Sequence, residues 1–271
     1  MTIDDFIQTS STQLAHVGIP TPRLDVLVLL SSTLQRDKSW LFAHGSELLL
    51  PEQLTDLRAQ LKRRAQREPL AYILGEKEFY GRRFEVTPAV LVPRPETEAL
   101  IEVLLDLPLA RDARVIDVGT GSGAIAITIA LERPGFRVYA TDISHNALRV
   151  ARSNASLYRL TDITFYDGNL LEAAPEGAKF DVVAANLPYV DPSWDHSPEI
   201  EHEPRIALFA NDGGIELIKK LISQASSHLH TGSYMLLEAD PEQHTPITAY
   251  ARENGFDHVR TDGYIVTLQL A

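Results

Sequence analysis

The stretch DVGTGSGAIAI at residues 117–127 decides the fold. It continues the short apolar run ARVIDV, and its alanine and isoleucine residues lead into a helical pattern. Gly119, Gly121 and Gly123 allow the chain to turn sharply and allow a ligand to approach the backbone closely. We therefore predict a strand, a glycine-rich turn and a helix in this order, with a ligand at the turn.

The same alternation of strand and helix continues to the end of the chain. Further strands are predicted over RVYAT (137–141), ITFY (163–166), FDVVAA (180–185), SYMLLEA (233–239) and YIVTLQL (264–270), and helices over residues 144–157, 213–229 and 241–254. Such alternation predicts an α/β fold, with a mostly parallel, Rossmann-like sheet covered by helices on both faces.

The first third of the chain follows a different pattern. Residues 1–73 predict short helices, two of which begin at Pro22 and Pro51, because proline is well tolerated in the first helical turn. The segment EFYGRRFEV at residues 78–86 predicts a β-hairpin, and a proline-rich joint follows it. We expect a helical domain over residues 1–73, a hairpin linker over 74–90 and the α/β domain over 91–271.

Composition excludes several classes of protein. With 44% apolar and 23% charged residues, the 271-residue chain is typical of a globular protein with a sizeable core. The absence of cysteine excludes disulfides, thiolate metal sites and a cysteine nucleophile, and it fits a cytoplasmic location. We find neither a membrane-spanning run nor a secretory signal in the sequence.

The net charge of -12 is unevenly distributed. Residues 1–94 carry 12 basic and 11 acidic side chains, whereas residues 95–271 carry 13 and 26. The resulting charge of -13 in the second part argues against direct binding to DNA, because phosphates require clustered cations. One basic cluster stands out in a helix-like stretch over residues 58–67: Arg58, Lys62, Arg63, Arg64 and Arg67. We interpret it as a solvated helix face, with docking of an acidic partner or RNA as the alternative.

The glycine turn alone does not identify the ligand, because NAD-binding proteins have similar turns. Asp142, at the end of the second predicted strand, is positioned to bind the ribose hydroxyls of either NAD or S-adenosylmethionine. Asp117, in front of the first glycine, resembles the D-x-G-x-G-x-G pattern of S-adenosylmethionine-dependent methyltransferases. A carboxylate there attracts the positive charges of that cofactor, whereas a pyrophosphate requires a bare helix N-terminus.

A second motif, Asn186-Leu187-Pro188-Tyr189, ends the buried strand FDVVAA. Ligands of such sheets bind beyond the carboxyl ends of the strands, so this tetrapeptide and the glycine turn should face one cleft. An amide nitrogen is a poor nucleophile because its lone pair is delocalised. The Asn186 side-chain carbonyl and the Leu187 backbone carbonyl would hold its N–H groups, while Pro188 stiffens the turn and Tyr189 offers a flat packing face. This pattern predicts methyl transfer to a planar amide or a ring amino group.

Longer motifs resemble the HemK/PrmC family of protein-(glutamine-N5) methyltransferases, which modify class I peptide-chain release factors. The resemblance covers nearly the whole chain and is most specific at VLVPRPETEALIE (90–102) and EPRIAL (203–208). It implies a helical substrate-recognition domain, a hairpin linker and a class I methyltransferase domain. It also implies S-adenosylmethionine as cofactor, S-adenosylhomocysteine as product, and methylation of the glutamine of a GGQ motif, which supports translation termination.

The resemblance also implies roles for individual residues. The cofactor would be bound by Asp117, Gly119, Thr120, Gly121, Gly123, Asp142, Asn169 and Asn186. The substrate glutamine would be bound by Asn186, Leu187, Pro188 and Tyr189, which we take as the catalytic group. Arg94, Pro95 and Thr97 are expected near the cofactor, and Glu203, Pro204 and Arg205 are expected to support the active-site loop.

Two positions depart from the family pattern. Leu187 replaces the usual first proline of the tetrapeptide, but its backbone carbonyl remains, so we expect activity to be retained. Asn169 stands where the family often has an acidic residue that contacts adenine. That contact therefore stays open between Asn169 and Asp167.

The segment over residues 190–212 lacks periodicity and carries several acidic residues. We interpret it as an acidic lid for a basic protein segment, because its histidines and acids match no metal-binding pattern. The alternatives to release-factor methylation are glutamine methylation of a ribosomal protein and methylation of an adenine amino group in nucleic acid. An NAD-dependent oxidoreductase and a non-catalytic binding module are disfavoured, since no proton relay is visible and the tetrapeptide is intact.

Overall fold

The structure of the protein is a computed structural model that describes all 271 residues, Met1–Ala271. The chain divides into two compact units. The first comprises residues 1–75 together with 196–202, and the second comprises residues 76–195 together with 203–271. None of the ten helices combines the length and apolar character that crossing a membrane requires.

The first unit is built from five helices: α1 (Ile3–His16), α2 (Pro22–Leu34), α3 (Lys38–Ala43), α4 (Pro51–Ala65) and α5 (Leu70–Leu74). Helices α2 and α4 each begin with proline, as the sequence predicts. At the start of α1, the Asp5 backbone N–H donates to the Thr2 hydroxyl and the Thr2 N–H donates to the Asp5 carboxylate. Isoleucine and leucine side chains from these helices form one continuous core.

A buried ion pair ties α2 to α4. Arg64 Nε donates to Asp25 Oδ2 at 2.7 Å, and both side chains are only 7% exposed. The interpretation of residues 58–67 as a solvated helix face is therefore wrong for Arg64. Arg63 pairs with Glu68, and Arg67 lies beyond the end of α4 with its guanidinium against the Gly18 carbonyl. A charge pattern shows which residues share a helix face, but it does not show which of them another helix covers.

Arg64→Met is expected to lower the free energy of unfolding by about 3–5 kcal/mol, because it leaves the buried Asp25 carboxylate without its cation. Urea denaturation would measure the change. Arg58→Met, at an exposed position of the same helix, is the control and should change stability by less than about 0.5 kcal/mol. A loss for Arg64→Met no larger than that of the control would contradict the stabilising role of the pair.

The segment at residues 196–202 packs with the helical unit through its own polar contacts. Glu199 accepts from Arg64 Nη1 at 3.1 Å and pairs with Arg67 at 3.3 Å. The His202 ring contacts the Gln66 carbonyl oxygen at 3.0 Å. The sequence predicts one continuous domain over residues 91–271. In the structure, residues 196–202 group with the helical unit instead.

The second unit contains a two-stranded hairpin and a seven-stranded sheet. The strands are β1 (Glu76–Phe79), β2 (Arg82–Glu85), β3 (Arg114–Val118), β4 (Arg137–Asp142), β5 (Thr164–Asp167), β6 (Phe180–Ala185), β7 (Leu229–Glu238), β8 (Phe256–Asp262) and β9 (Ile265–Leu270). The sheet order is β5-β4-β3-β6-β7-β9-β8. Neighbouring strands from β5 to β7 pair in parallel, and β9 is antiparallel to both of its neighbours.

Five helices accompany the sheet: α6 (Glu98–Leu105), α7 (Ala124–Glu132), α8 (His145–Leu157), α9 (Glu216–Ala225) and α10 (His244–Glu253). Side chains of α6, α7 and α8 form one apolar cluster with the strands, and side chains of α9 and α10 form another. This is the fold of class I methyltransferases, with a mostly parallel sheet whose strand order reverses between β3 and β6. Sheets of this type bind ligands at such a reversal.

The hairpin groups with the second unit, whereas the sequence predicts a linker over residues 74–90. Phe79 and Phe84 are fully buried in the core cluster that contains α6, α7 and α8. The buried Asn154 of α8 accepts from the Glu85 backbone N–H and donates to the Glu85 and Ser122 carbonyls. The hairpin differs from the linker predicted over residues 74–90 because two of its aromatic side chains are buried in this core.

One strand, β8, is absent from the sequence-based prediction. Its sequence FDHVRTD has a single buried residue, Phe256, because it lies at the edge of the sheet. Such a strand shows no apolar alternation, which is the signal that sequence analysis uses.

Candidate active site

The carboxyl ends of β3, β4 and β6 border a cavity of about 290 Å³. This size lies near the lower end of the range of roughly 300–1,000 Å³ for small-molecule sites. The residues from the sequence-based assignment that line it are Gly119, Thr120, Gly121, Asp142, Asn169, Asn186, Leu187 and Pro188. Arg94 and Thr97 line it as well. The predicted site residues that do not line the cavity are Asp117, Gly123 and Tyr189.

The glycine turn and the end of β4 are held together by Asp142. One carboxylate oxygen accepts from the Gly121 backbone N–H at 2.9 Å, and the other accepts from the Ser144 N–H at 2.8 Å. Burial raises the pKa of this carboxyl group, although both hydrogen bonds act in the opposite direction. Asp142 thus presents a half-buried carboxylate to the cavity in a fixed position.

The turn also packs directly on the tetrapeptide. Gly119 has a φ of +78°, and a Cβ atom at this position would lie 2.9 Å from Leu187 Cδ2. Glycine is favoured here because the positive φ strains any other residue, and a Cβ atom would also displace the Leu187 side chain. The two sequence motifs therefore contact each other.

Asp117 lies beneath the turn and has no exposed surface. Its Oδ2 accepts from the Thr120 hydroxyl at 2.6 Å and from the Ala126 backbone N–H at 3.1 Å, while Oδ1 has no hydrogen-bond partner. Burial raises its pKa to about 7. Asp117 is therefore covered by the protein and hydrogen-bonds within the turn, and its assignment to the cofactor remains a prediction.

Asn186 and Leu187 present two oxygen acceptors that have no partner in the protein. The Asn186 side chain donates from Nδ2 to the Thr97 hydroxyl at 2.9 Å, and its Oδ1 accepts no hydrogen bond. The Leu187 backbone carbonyl also accepts none. Because both residues line the cavity, these oxygens are available to a ligand with two N–H groups.

Tyr189 is not among the residues that line the cavity, and its hydrogen bonds anchor the tetrapeptide. Its hydroxyl donates to Glu238 Oε1 at 3.3 Å, and its carbonyl accepts from the buried Gln243 Nε2 at 2.7 Å. Gln243 also donates to the Gly213 carbonyl. Burial and the neighbouring Glu238 charge raise the pKa of the tyrosine hydroxyl. The expected role of Tyr189 as a wall of the substrate pocket remains a prediction.

Gly214 sets the position of this anchor. Its φ is +84°, and a Cβ atom would lie 2.0 Å from the Tyr189 carbonyl oxygen. Gly214→Ala is therefore expected to displace the tetrapeptide and lower turnover at least about tenfold, which corresponds to 1.4 kcal/mol in the transition state. Steady-state methylation assays would measure the loss.

The matched control is Gly177→Ala, since Gly177 has a φ of +73° and no atom within 4 Å of the added Cβ. It carries the same backbone strain of about 1–2 kcal/mol without the collision. Equal turnover in the two variants would show that the contact with Tyr189 does not matter.

The segment PRPETE is connected to the loop that follows the tetrapeptide. Glu203, although acidic, is buried and accepts from the Val92 backbone N–H at 3.0 Å and from Arg94 Nη2 at 2.5 Å. The Glu98 carboxylate accepts from the Tyr80 N–H of the hairpin. The interpretation of residues 190–212 as an acidic lid is accordingly wrong for Glu199 and Glu203, whose charges are neutralised by arginines.

The two candidates for the adenine contact occupy different places. Asn169 lines the cavity together with Leu170 and Ile143. Asp167 is half exposed and lies 3.0 Å from the His145 ring on the surface. The geometry favours Asn169.

Glu238 and Gln243 are functional candidates that sequence analysis missed. Glu238 ends the apolar strand SYMLLEA, and an acid at the carboxyl end of a buried strand is a signal that could have identified it. Gln243 lies in a short turn and carries no comparable signal.

Comparison with known proteins identifies the family of this chain. Residues 5–75 match the family described as PrmC N-terminal domain, and residues 109–255 match the family described as Methyltransferase domain. The chain is 39% identical over 260 residues to the release factor glutamine methyltransferase of Coxiella burnetii, with 96% of this chain and 93% of the relative covered. The chain belongs to the release factor glutamine methyltransferase family.

Other members of the release factor glutamine methyltransferase family are similarly close. The protein of that name from Koribacter versatilis is 39% identical over 251 residues, with 89% of each chain covered. Among solved structures, the T. thermophilus 16S rRNA N2 G1207 methyltransferase, in a complex with AdoMet and guanosine, has a TM-score of 0.52 at 19% identity. That match covers 72% of this chain and 49% of the other, and it shows the common fold.

Proposed function

We propose that this chain transfers a methyl group from S-adenosylmethionine to the side-chain amide nitrogen of a glutamine in a class I peptide-chain release factor. The observation that carries the proposal is the pair of unpartnered oxygens, Asn186 Oδ1 and the Leu187 carbonyl, in one cavity with Asp142 and the glycine turn. Membership of the family supports the choice of substrate, and the GGQ glutamine is the residue that we expect to be modified. Since release factors act at ribosomes, the reaction would take place in the cytoplasm.

The cavity residues fit S-adenosylmethionine. The Asp142 carboxylate suits a ribose diol, and the Asn169 amide suits the adenine edge between the apolar side chains of Ile143 and Leu170. In its deprotonated form Asp117, with its unpartnered buried oxygen, supplies negative charge beneath the turn, which favours a cation above it. The glycine turn leaves room for a close approach of the ligand to the backbone.

When bound, S-adenosylmethionine supplies a methyl group attached to a positively charged sulfur. Asn186 Oδ1 and the Leu187 carbonyl would accept the two N–H groups of the glutamine amide and so direct the nitrogen toward the methyl carbon. The transfer would form the nitrogen–carbon bond and break the sulfur–methyl bond, with the electron pair returning to sulfur in S-adenosylhomocysteine. The nitrogen would then become acidic, and the two acceptors would stabilise the positive charge that develops on its hydrogens. No strong general base is required, because the methylated nitrogen readily loses one proton to solvent.

The direct test is incubation with labelled S-adenosylmethionine and, in separate reactions, a purified class I release factor, ribosomal protein and DNA. Mass mapping would then locate the methyl group. We expect label on the release factor glutamine. Label on ribosomal protein alone would identify the other glutamine substrate, and label on DNA alone would overturn the proposal, which the charge of -13 over residues 95–271 already disfavours.

A further inference from the structure

The hairpin and the segment that follows it supply one wall of the cavity that we assign to the cofactor. Phe79 of β1 lines the cavity, and so do Val90, Leu91 and Arg94 in the segment after β2. A second wall is the glycine turn, which lines the cavity at residues 119–122. A two-stranded hairpin is only marginally stable by itself, so its place beside the turn depends on what it packs against. The contacts that join the two walls therefore set the shape of the cavity.

The side chain of Asn154 joins these two walls. Asn154 lies on α8, has no exposed surface and does not line the cavity. Its Oδ1 accepts from the Glu85 backbone N–H at 2.7 Å, and its Nδ2 donates to the Glu85 carbonyl at 2.9 Å. The same Nδ2 donates to the Ser122 carbonyl of the glycine turn at 2.8 Å. One buried amide is thus bonded both to the end of the hairpin and to the turn.

These three hydrogen bonds use both donors of the amide and fix its orientation. The NH2 group has two hydrogens, one for each carbonyl, and the oxygen faces the Glu85 N–H. A rotated amide would bring its NH2 group against this N–H and its oxygen against two carbonyls. The amide therefore pairs with Glu85 as a neighbouring strand would, in a hairpin that has only two strands.

Other contacts hold α8 against the same two walls. Gly123 has a φ of +81°, and a Cβ atom there would lie 3.2 Å from Ala151 Cβ, three residues before Asn154. At the end of α8, the Tyr158 hydroxyl donates to the Arg83 carbonyl of the hairpin at 2.6 Å. Asn154 lies between these contacts on the helix, and its hydrogen bonds reach both walls.

We propose that Asn154 is a positioning residue of the cofactor site, whose amide holds the glycine turn at a fixed distance from the hairpin wall. Without the amide, the buried Ser122 carbonyl and the Glu85 N–H and carbonyl have no partner, and the two walls separate to let water reach these groups. The cavity then loses the shape that fits S-adenosylmethionine. This role rests on the proposed function for the cofactor, but it does not depend on which nitrogen receives the methyl group.

Asn154→Leu keeps the size of the side chain and removes its three hydrogen bonds. We expect the Kd for S-adenosylhomocysteine, measured by calorimetry, and the KM for S-adenosylmethionine to rise at least about tenfold. The kcat at saturating cofactor should fall less than about threefold, because Asn186 and the Leu187 carbonyl are untouched. A protein that is merely less folded would show the opposite pattern, a lower kcat with an unchanged KM. An unchanged Kd in folded Asn154→Leu would overturn the proposal.

Tyr158→Phe is the matched control at the end of the same helix. It removes the hydroxyl that bonds to the Arg83 carbonyl and keeps the ring that packs on Phe84, and it leaves the glycine turn untouched. Its Kd for S-adenosylhomocysteine should change less than about twofold. An equal rise in Kd for Asn154→Leu and Tyr158→Phe would mean that any loosening of the hairpin weakens binding, and it would overturn the specific role of Asn154.

Hydrogen exchange of the wild-type protein tests the same link without a variant. Residues 82–86 do not line the cavity, but Glu85 bonds to Asn154. Saturating S-adenosylhomocysteine should therefore slow amide exchange in residues 82–86 at least about threefold, because it steadies the turn and, through Asn154, the hairpin. Folded Asn154→Leu should lose this response. Exchange that does not respond in the wild type would overturn the proposal even if Asn154→Leu does not fold.

The affinity of the wild-type protein separates a failure of the proposed function from a failure of this role. Wild-type protein that binds no S-adenosylhomocysteine would overturn both. Wild-type protein that binds it, with a Kd that Asn154→Leu leaves unchanged, would overturn the positioning role of Asn154 alone.

Discussion

Replacing Asn186 by alanine is expected to lower kcat for release factor methylation by about 100- to 1,000-fold, the range seen when one oriented hydrogen-bonding group of a transition state is removed. The variant loses one of the two acceptors for the substrate amide, and its nitrogen is no longer directed toward the methyl carbon. Cofactor affinity should change less than about threefold, because Asp142 and the glycine turn are untouched. Single-turnover kinetics with a release factor, and calorimetry with S-adenosylhomocysteine, would measure the two quantities.

Asn146→Ala is the control for this variant, since Asn146 is an exposed asparagine on α8. It should leave both quantities unchanged. A large loss of cofactor affinity in Asn186→Ala, with turnover close to normal once the cofactor is saturating, would contradict the assignment of Asn186 to the methyl acceptor.

Asp142→Ala is expected to act in the opposite way and to weaken cofactor binding by about 100-fold, equivalent to roughly 2.7 kcal/mol. Two effects combine: the carboxylate that we assign to the ribose is lost, and the N–H groups of Gly121 and Ser144 lose their acceptor. Calorimetric titration with S-adenosylhomocysteine would measure the change. Asp162→Ala, at an exposed position before β5, is the matched control.

The pH dependence provides a second check on Asp142. Because burial raises its pKa, protonation begins at a higher pH than for an exposed aspartate, and cofactor affinity should fall as the pH approaches this raised value. Asp142→Ala should lack this acid-side loss. An affinity that is unchanged by the substitution would place the ribose elsewhere.

The sequence predicts the part of the site that local motifs define. The glycine turn at 117–127 and the tetrapeptide at 186–189 end two strands that lie side by side, so their convergence follows from the order of a parallel sheet. Whether Asp117 contacts a ligand or supports the turn depends on which side of β3 is covered, and one sequence does not show this.

Sequence analysis did not predict the contacts between residues that are far apart along the chain. Glu238 is 52 residues from Asn186 along the chain, and only the pairing of β6 with β7 brings their strand ends together. The neutralisation of Glu203 by Arg94 joins residues 109 positions apart. Periodicity identifies an element and its buried face, but it does not identify the polar partner that a distant segment supplies.

The grouping of residues 196–202 with the helical unit has a consequence for the gene. A chimaera that exchanges only the first 75 codons between relatives would combine Arg64 and Arg67 with a foreign residue at position 199. The helical unit is therefore encoded in two separate stretches of the gene, and both have to be exchanged together. We expect the residues at positions 64, 67 and 199 to co-vary among relatives.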